Sequence, residues 1–259
     1  MSRPATLLEL AGVHTHIGAY HILHGVDLTV PEGEVTMLLG RNGAGKTTTL
    51  RTIMGLWSPS RGEVSLAGTV IGGTGQRFGR PGEPGAATPD IARMGVAYVP
   101  ENMGIFSDLT VRENLLLAAR GARRLEQLDS QRLEWLFGLF PALRTFWLHP
   151  AGKLSGGQKQ MLAIARAMIE PRRLLLIDEP SKGLAPSIVL NLIEALRELK
   201  RTRTTVLLVE QNFSVARALG DRVAVMDDGR VVHAGAMADL VADEALQHRL
   251  LGLSLGGHP

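Results

Sequence analysis

The run Gly40-Arg41-Asn42-Gly43-Ala44-Gly45-Lys46-Thr47 constrains this chain more than any other segment. It fits G-x-x-x-x-G-K-[ST], directly follows the apolar segment 35–39, and opens a helical stretch that ends near Gly55. A strand, a glycine-rich turn and a helix in immediate succession aim the first backbone N–H groups of the helix into the turn and make an anion site there. The glycines let the backbone turn toward phosphate oxygens. Lys46 places a positive charge on the terminal phosphates, and Thr47 offers a hydroxyl to a divalent metal. The helix N-terminus adds roughly half a unit of positive charge. A glycine turn carrying an exposed lysine is the plain reading, and the strand before and helix after argue against it.

Composition bounds the rest. The 259 residues make one large domain, or one domain with a lobe. A chain that is 45% hydrophobic and 20% charged is globular rather than disordered. Zero Cys removes disulfides, thiolate metal sites and cysteine nucleophiles together. The net charge of +3 is too small and too scattered for a nucleic-acid footprint. The short basic runs Arg123-Arg124, Arg172-Arg173 and Lys200-Arg201-Thr202-Arg203 read as solvated helix ends or turns. No stretch reaches the roughly 18 apolar residues of a membrane span. The first residues, with Pro4 and Glu9, do not read as a secretory signal. The expectation is a cytoplasmic protein whose membrane role, if it has one, comes through a partner.

Strand-like segments fall at 7–10, 22–30, 35–39, 63–66 and 96–99. Between the last two lies Gly72 to Pro89, so dense in Gly and Pro that it reads as a mobile surface loop over about 72–90. From Thr110 the pattern turns helical, opened by the capping box Thr110-Val111-Arg112-Glu113, and a small helical lobe is expected over about 103–152. Strands at 174–177, 205–209 and 223–226 then alternate with helical spacing at Ile188, Val189, Leu192, Ile193, Leu196 and Leu199, and Asp227-Asp228-Gly229 reads as a hairpin turn. Alternation of this kind predicts an α/β fold with a largely parallel sheet. Residues 1–102 and 153–259 form its core.

Two further runs carry chemistry. Leu174-Leu175-Leu176-Ile177-Asp178-Glu179 is an apolar strand ending in two carboxylates. Asp178 can hold Mg²⁺, and Glu179 is placed to accept a proton from attacking water. Alone, the pair could equally be acids opening a turn before Pro180. In Leu154-Ser155-Gly156-Gly157-Gln158, Ser155 is an N-cap for a helix running to about Ile169, and its glycines expose backbone N–H groups. Four such residues in isolation would be an ordinary cap. The order of the three elements decides for a nucleotide site.

In that order the chain resembles the nucleotide-binding subunits of ABC transporters, over about residues 7 to 251. Gly40 to Thr47 resembles their Walker A loop, Leu154 to Gln158 their signature, and Leu174 to Glu179 their Walker B strand with its catalytic glutamate. The runs Gly95 to Glu101, Gln160 to Ala167, Asp178 to Pro186 and Val209 to Asn212 are similar to the F-type ATPase subunit (LivF) of branched-chain amino acid importers, whose relatives also serve urea, amides and aromatic acids. The resemblance implies a P-loop NTPase of ABC ATPase type: a RecA-like core, an antiparallel β subdomain and a small α-helical subdomain. It implies ATP and Mg²⁺, the metal held by Thr47 and Asp178. Nucleotide binding falls to Gly40, Asn42, Gly43, Gly45, Lys46, Thr47 and Thr48. Ser155, Gly156, Gly157 and Gln158 would act in trans on a second subunit's ATP, and Ser181, Gly183 and Leu184 would lie at the dimer seam. The partners implied are integral membrane permease subunits, a second ABC ATPase subunit (a heterodimer favoured over a homodimer) and, indirectly, a solute-binding protein. No nucleic acid is expected, and the place is the inner face of the cell membrane.

Three positions depart from the wider family pattern. Glu101 stands at the Q-loop glutamine position and Gln211 at the switch histidine, so both join Glu179 as candidate catalytic residues. Ile17 stands where an adenine-stacking aromatic is usual, which leaves Tyr20 as the candidate substitute. Gln211 cannot take a proton, though its amide can donate to a phosphate oxygen. Slower hydrolysis at this chain's own site is therefore expected. The early histidines His14, His16, His21 and His24 alternate on strands with no carboxylate cluster and read as partly exposed strand residues rather than zinc ligands. A soluble ABC-type ATPase acting on DNA, ribosomes or protein assembly is the competing class, but the long coiled-coil insertion of repair ATPases and the tandem domains of translation types are missing. A small-molecule kinase would have no use for Ser155 to Gln158.

Overall fold

Two sheets organise the computed structural model, which describes residues 5–73, 87–119, 121 and 124–252. The first is antiparallel: β1 (Thr6–Ile17), β2 (Tyr20–Pro31), β4 (Pro59–Leu66) and β5 (Thr69–Gly73), in the order β2-β1-β4-β5. The second has six strands in the order β10-β9-β3-β8-β7-β6. Its parallel members are β3 (Val35–Gly40), β6 (Val96–Val99), β7 (Leu174–Asp178), β8 (Thr205–Val209) and β9 (Arg222–Asp227), with β10 (Arg230–Ala236) added antiparallel at one edge. All five residues of β7 and of β8 are buried, as strands covered on both faces must be, and this is why they read as unbroken apolar runs. The β9–β10 turn places Asp228 and Gly229 at φ 42° and 69°, the left-handed pair that a two-residue hairpin requires.

The period of two along β3 divides the interior. Val35, Met37 and Leu39 point into the core shared with the helices, while Leu38 points into the core between the sheets. The helical lobe, α3 (Val111–Ala118), α4 (Ser130–Leu139) and α5 (Pro141–Thr145), packs Leu115, Leu136, Phe140 and Leu143 against α6 (Gly156–Met168). Its opening box forms as expected: Thr110 Oγ1 accepts from Glu113 N at 3.2 Å, and Glu113 Oε2 accepts from Thr110 N at 2.8 Å. The Thr110 hydroxyl, which donates to Glu113 Oε2 at 2.6 Å, and then the Thr110 N–H hold the Glu113 carboxyl below its ordinary range. The wholly buried Asn114 clamps the preceding loop. Its Nδ2 faces the Phe106 carbonyl at 2.9 Å and the Thr110 carbonyl at 3.0 Å, and its Oδ1 accepts from Phe106 N at 3.0 Å. Among the described residues no helix is long and apolar enough to cross a membrane.

Two expectations need correction. The loop expected over 72–90 is shorter at both ends. Gly72 and Gly73 pair with Val64 and Glu63 at the end of β5, and α2 (Thr88–Arg93) begins before Pro89. Proline is tolerated there because the first helical turn has no use for its missing N–H; residues 74–86 lie outside the described ones. Nor is Arg172 a solvated helix end. Its side chain is 7% exposed and pairs with Glu170 at 3.1 Å, and its Nε donates to the Ala167 carbonyl at 3.3 Å.

Candidate functional site

The glycine-rich turn connects β3 to α1 (Lys46–Ile53). Gly40, at φ 145°, is obligatory, because a Cβ there would lie 2.3 Å from the Met226 carbonyl oxygen. Gly45 caps α1 in the left-handed region at φ 98°. Lys46 is 4% exposed, and its Nζ donates to the carbonyls of Gly40 at 2.8 Å and Arg41 at 2.9 Å. It also lies 3.5 Å from Glu179 Oε1.

β7 brings the carboxylates to this turn. Thr47 Oγ1 donates to Asp178 Oδ1 at 3.1 Å, and Tyr98 Oη donates to Oδ2 at 3.3 Å. Burial pushes the Asp178 carboxyl above its ordinary range; these two bonds oppose the push, and the charges of Glu179 and Glu101 add to it. Tyr98 is pushed up to about 12, chiefly by burial and then by Asp178. Thr47 and Asp178 are adjacent hard oxygen donors, which suits Mg²⁺. That ion takes one or two protein oxygens and fills its remaining positions with water and substrate phosphates. Among the described residues no group of three or more His, Cys, Asp or Glu is arranged as an all-protein metal cage.

Glu179 follows in the left-handed region at φ 46°, a conformation that costs a non-glycine residue on the order of 1 kcal/mol or more. Its backbone N–H donates to the Val209 carbonyl at 3.0 Å, and its Oε1 accepts from Gln211 Nε2 at 2.6 Å. The same Nε2 donates to Asn42 Oδ1 at 2.6 Å. Gln211 thus ties the general-base candidate to the phosphate loop. Behind the turn, the buried Glu210 accepts from Ser181 N at 3.0 Å and Ser181 Oγ at 2.9 Å. Burial pushes its carboxyl up, and these bonds oppose that.

A cavity of about 340 Å³ opens over these groups, lined by Asn42, Gly43, Gly45, Lys46, Thr47, Thr48, Glu101, Glu179, Lys182 and Ile22. A larger groove of about 460 Å³ between the sheets, beside Glu9, Asp27 and Thr36, contains none of the motif residues. The phosphate-loop residues and the two candidate glutamates Glu101 and Glu179 therefore converge, with Asp178 directly behind. Tyr20 does not join them. It is 76% exposed beside the β1–β2 turn, and the side chain that reaches the cavity is Ile22. The cause is an irregularity in the hairpin register: Thr15 pairs with Leu23 but His16 with His21, leaving Ile22 as the extra residue of a bulge. Of the three residues expected at a dimer seam, Ser181 makes its contacts within the chain. It is turned inward on Glu210 and 8% exposed, whereas Gly183 is exposed and Leu184 is half-buried against the core.

The signature residues stand apart. Ser155 Oγ accepts from Gln158 N at 3.3 Å, and Gln158 Oε1 accepts from Ser155 N at 2.9 Å, a capping box on α6. Ser155 and Gly156 are exposed, whereas a Cβ on Gly157 would lie 2.5 Å from Ile188 Cγ2. None of Ser155, Gly156, Gly157 or Gln158 lines the cavity.

The hairpin bulge also gathers the four histidines on one face. His14 Nδ1 and His21 Nε2 are 3.0 Å apart, and His16 and His21 stack with ring centroids 4.2 Å apart. Desolvation, the largest cause, lowers the His14 and His21 imidazoles, helped by neighbouring imidazoles and, at His14, by Arg61 and Arg230.

The motifs themselves leave Tyr98, Lys182, Glu210 and Ile22 unassigned. Lys182 and Tyr98 lie within the quoted runs, and their signal was proximity to Glu179 and Glu101. Ile22 gave none, because a bulge is invisible in alternation.

Residues 23–182 match the ABC transporter family. The chain is 37% identical over 247 residues to the high-affinity branched-chain amino acid transport ATP-binding protein BraG of Pseudomonas aeruginosa, covering 95% of this chain and 100% of that one. It is 34% identical to the probable branched-chain amino acid transport ATP-binding protein LivF of Archaeoglobus fulgidus, covering 90% and 93%. A solved ATP-binding subunit of an ABC transporter superposes with a TM-score of 0.76 at 31% identity over 95% of this chain and 96% of the other. An ATP-binding cassette solved as a dimer with ADP and phosphate gives 0.74 at 26% identity, over 89% and 99%.

Proposed function

The chain belongs to the ABC transporter family and is an ATPase of that family, and from this we propose that it powers an importer of branched-chain amino acids or related small amides and acids. The observation that carries the mechanism is the separation within one chain. The phosphate loop and the Walker carboxylates share a cavity, while the exposed N-terminus of α6 at Ser155 lies outside it. A second ATPase subunit, packed head to tail, would supply its own signature to this cavity and receive Ser155 to Gln158 in return. Lys46 and the loop amides bind the triphosphate. Mg²⁺ on Thr47 and Asp178 would neutralise charge on the terminal phosphates, and Glu179 accepts the proton of the attacking water. Gln211 keeps that carboxylate oriented. ATP favours the closed pair because the pair offers contacts a single chain lacks.

Docking on permease subunits has support in a second groove, about 460 Å³, between the lobe and the core. Leu56, Ala97, Met103 and Ala118 line it, and Phe106 stands exposed at 49% just beyond Met103. It sits beside Glu101, so a partner segment seated there would sense the nucleotide cavity. The position implied is the inner face of the membrane, beneath such permeases. The test is uptake of labelled leucine by cells carrying or lacking this chain, with co-purification from detergent extracts. Loss of uptake on deletion and recovery with integral membrane subunits support the reading. Purification free of membrane proteins, with ATPase activity stimulated by DNA or ribosomes, would replace it with the soluble class.

A further inference from the structure

Lys182 has no part in the account above, yet it is one of two lysines lining the phosphate cavity among the described residues. Its Nζ lies 2.5 Å from Glu101 Oε1 and 3.5 Å from Glu179 Oε2. Its backbone is fixed: Lys182 N donates to the Glu179 carbonyl at 3.2 Å, and the preceding Ser181 is held by Glu210. The side chain itself is 54% exposed, so the ion pair adds little to folding. Glu101, then Glu179, hold its ammonium above the ordinary lysine value.

The charge count gives the pair a purpose. Glu101 and Glu179 face Lys46 and Lys182 across the lining, two against two. Without Lys182 the lining is net negative where a triphosphate must enter. We propose that Lys182 is a positioning residue for ATP binding: it holds Glu101 as a neutral pair at the cavity mouth, and so makes a carboxylate there compatible with the triphosphate. The inference rests on the reading of this cavity as an ATP site.

The test is equilibrium titration of the full-length chain with a fluorescent trinitrophenyl-ATP, at low and at physiological salt. Unfolding temperature serves as the control for folding. Lys182→Met should weaken binding by about three- to tenfold at low salt, and less at high salt, as loss of a screened unit charge requires. Lys182→Arg should keep wild-type affinity. In a Glu101→Gln background, Lys182→Met should cost no more than about twofold, because the charge it balances is gone and the two effects are coupled. Unchanged affinity in Lys182→Met overturns the proposal. So does a full loss that persists in the Glu101→Gln background, since Lys182 would then act on nucleotide directly. A wild-type chain that binds no nucleotide would instead overturn the ATP-site reading.

Discussion

Replacing Gln211 by Ala separates binding from chemistry in this site. The Gln211 amide nitrogen donates at 2.6 Å both to Glu179 Oε1 and to Asn42 Oδ1. Truncation leaves the 8% exposed Glu179 carboxylate with Lys46 and Lys182, each 3.5 Å away. Those are ion contacts without the direction that a hydrogen bond imposes. A bond to a charged group contributes about 1.5–3 kcal/mol. If that appears wholly in the transition state, kcat falls by about ten- to a hundredfold. Gln211 does not line the phosphate cavity, so nucleotide affinity should hold within about twofold. Single-turnover hydrolysis and nucleotide titration on the same preparation read the two quantities apart. Gln211→His is the second arm. An imidazole can keep the bond to Glu179 and carry a proton, so this variant should exceed the wild-type rate. A wild-type kcat in Gln211→Ala would refute the orienting role, and an unchanged rate in Gln211→His would remove Gln211 as the limiting feature.

Other perturbations follow from the same contacts. Glu179→Gln should bind ATP but not turn it over, and should accumulate as an ATP-bound dimer in size-exclusion chromatography; normal turnover would void the general-base assignment. Asn114→Ala removes a buried side chain and both of its bonds to the Phe106 backbone, at a cost of about 1–3 kcal/mol, readable as a lower urea midpoint with the ATP-binding residues untouched. Asp178→Asn should abolish Mg²⁺-dependent hydrolysis yet raise stability measured without nucleotide at pH 7. The folded carboxyl titrates above its unfolded value of about 3.9, so ionising it costs the folded state as pH rises from the unfolded toward the folded value. The gain should therefore vanish at pH 3.5, and melting curves across that window check the sign.

Buried parallel strands and capped helices were legible because their signals are local. The ends of β3, β6, β7 and β8 fall within a residue of the apolar runs that suggested them, and Thr110 and Ser155 cap their helices. The antiparallel sheet was harder. β1 extends from Thr6 to Ile17 through polar residues because only one of its faces is covered, and its bulges break the alternation by which a strand is read. Within the site, the contiguous motifs carried the loop, the carboxylates and the signature. The pairs that set geometry join distant positions: Gln211 to Asn42 across 169 residues and Lys182 to Glu101 across 81. No spacing rule connects these, since they meet only once β3, β8, β7 and β6 lie side by side.

Those pairs also bear on how ATP energy reaches a partner. Lys46 already satisfies its ammonium with the Gly40 and Arg41 carbonyls and with Glu179, and Asp178 must hold its charge against burial. A triphosphate entering one chain therefore competes with internal contacts before it gains any. That competition lowers the net affinity of a single chain for ATP without weakening what a second subunit can add. In the proposed pair the added contacts are the exposed Ser155 hydroxyl and the first N–H groups of α6, a helix start of partial positive charge with Gly156 bare. The binding energy of ATP is then concentrated in the closed arrangement, and a ligand shifts an equilibrium only by its differential affinity for the two states. The internal partners of Lys46 lower binding to the open chain and to the closed pair alike, so the coupling rests on the contacts that the second subunit adds.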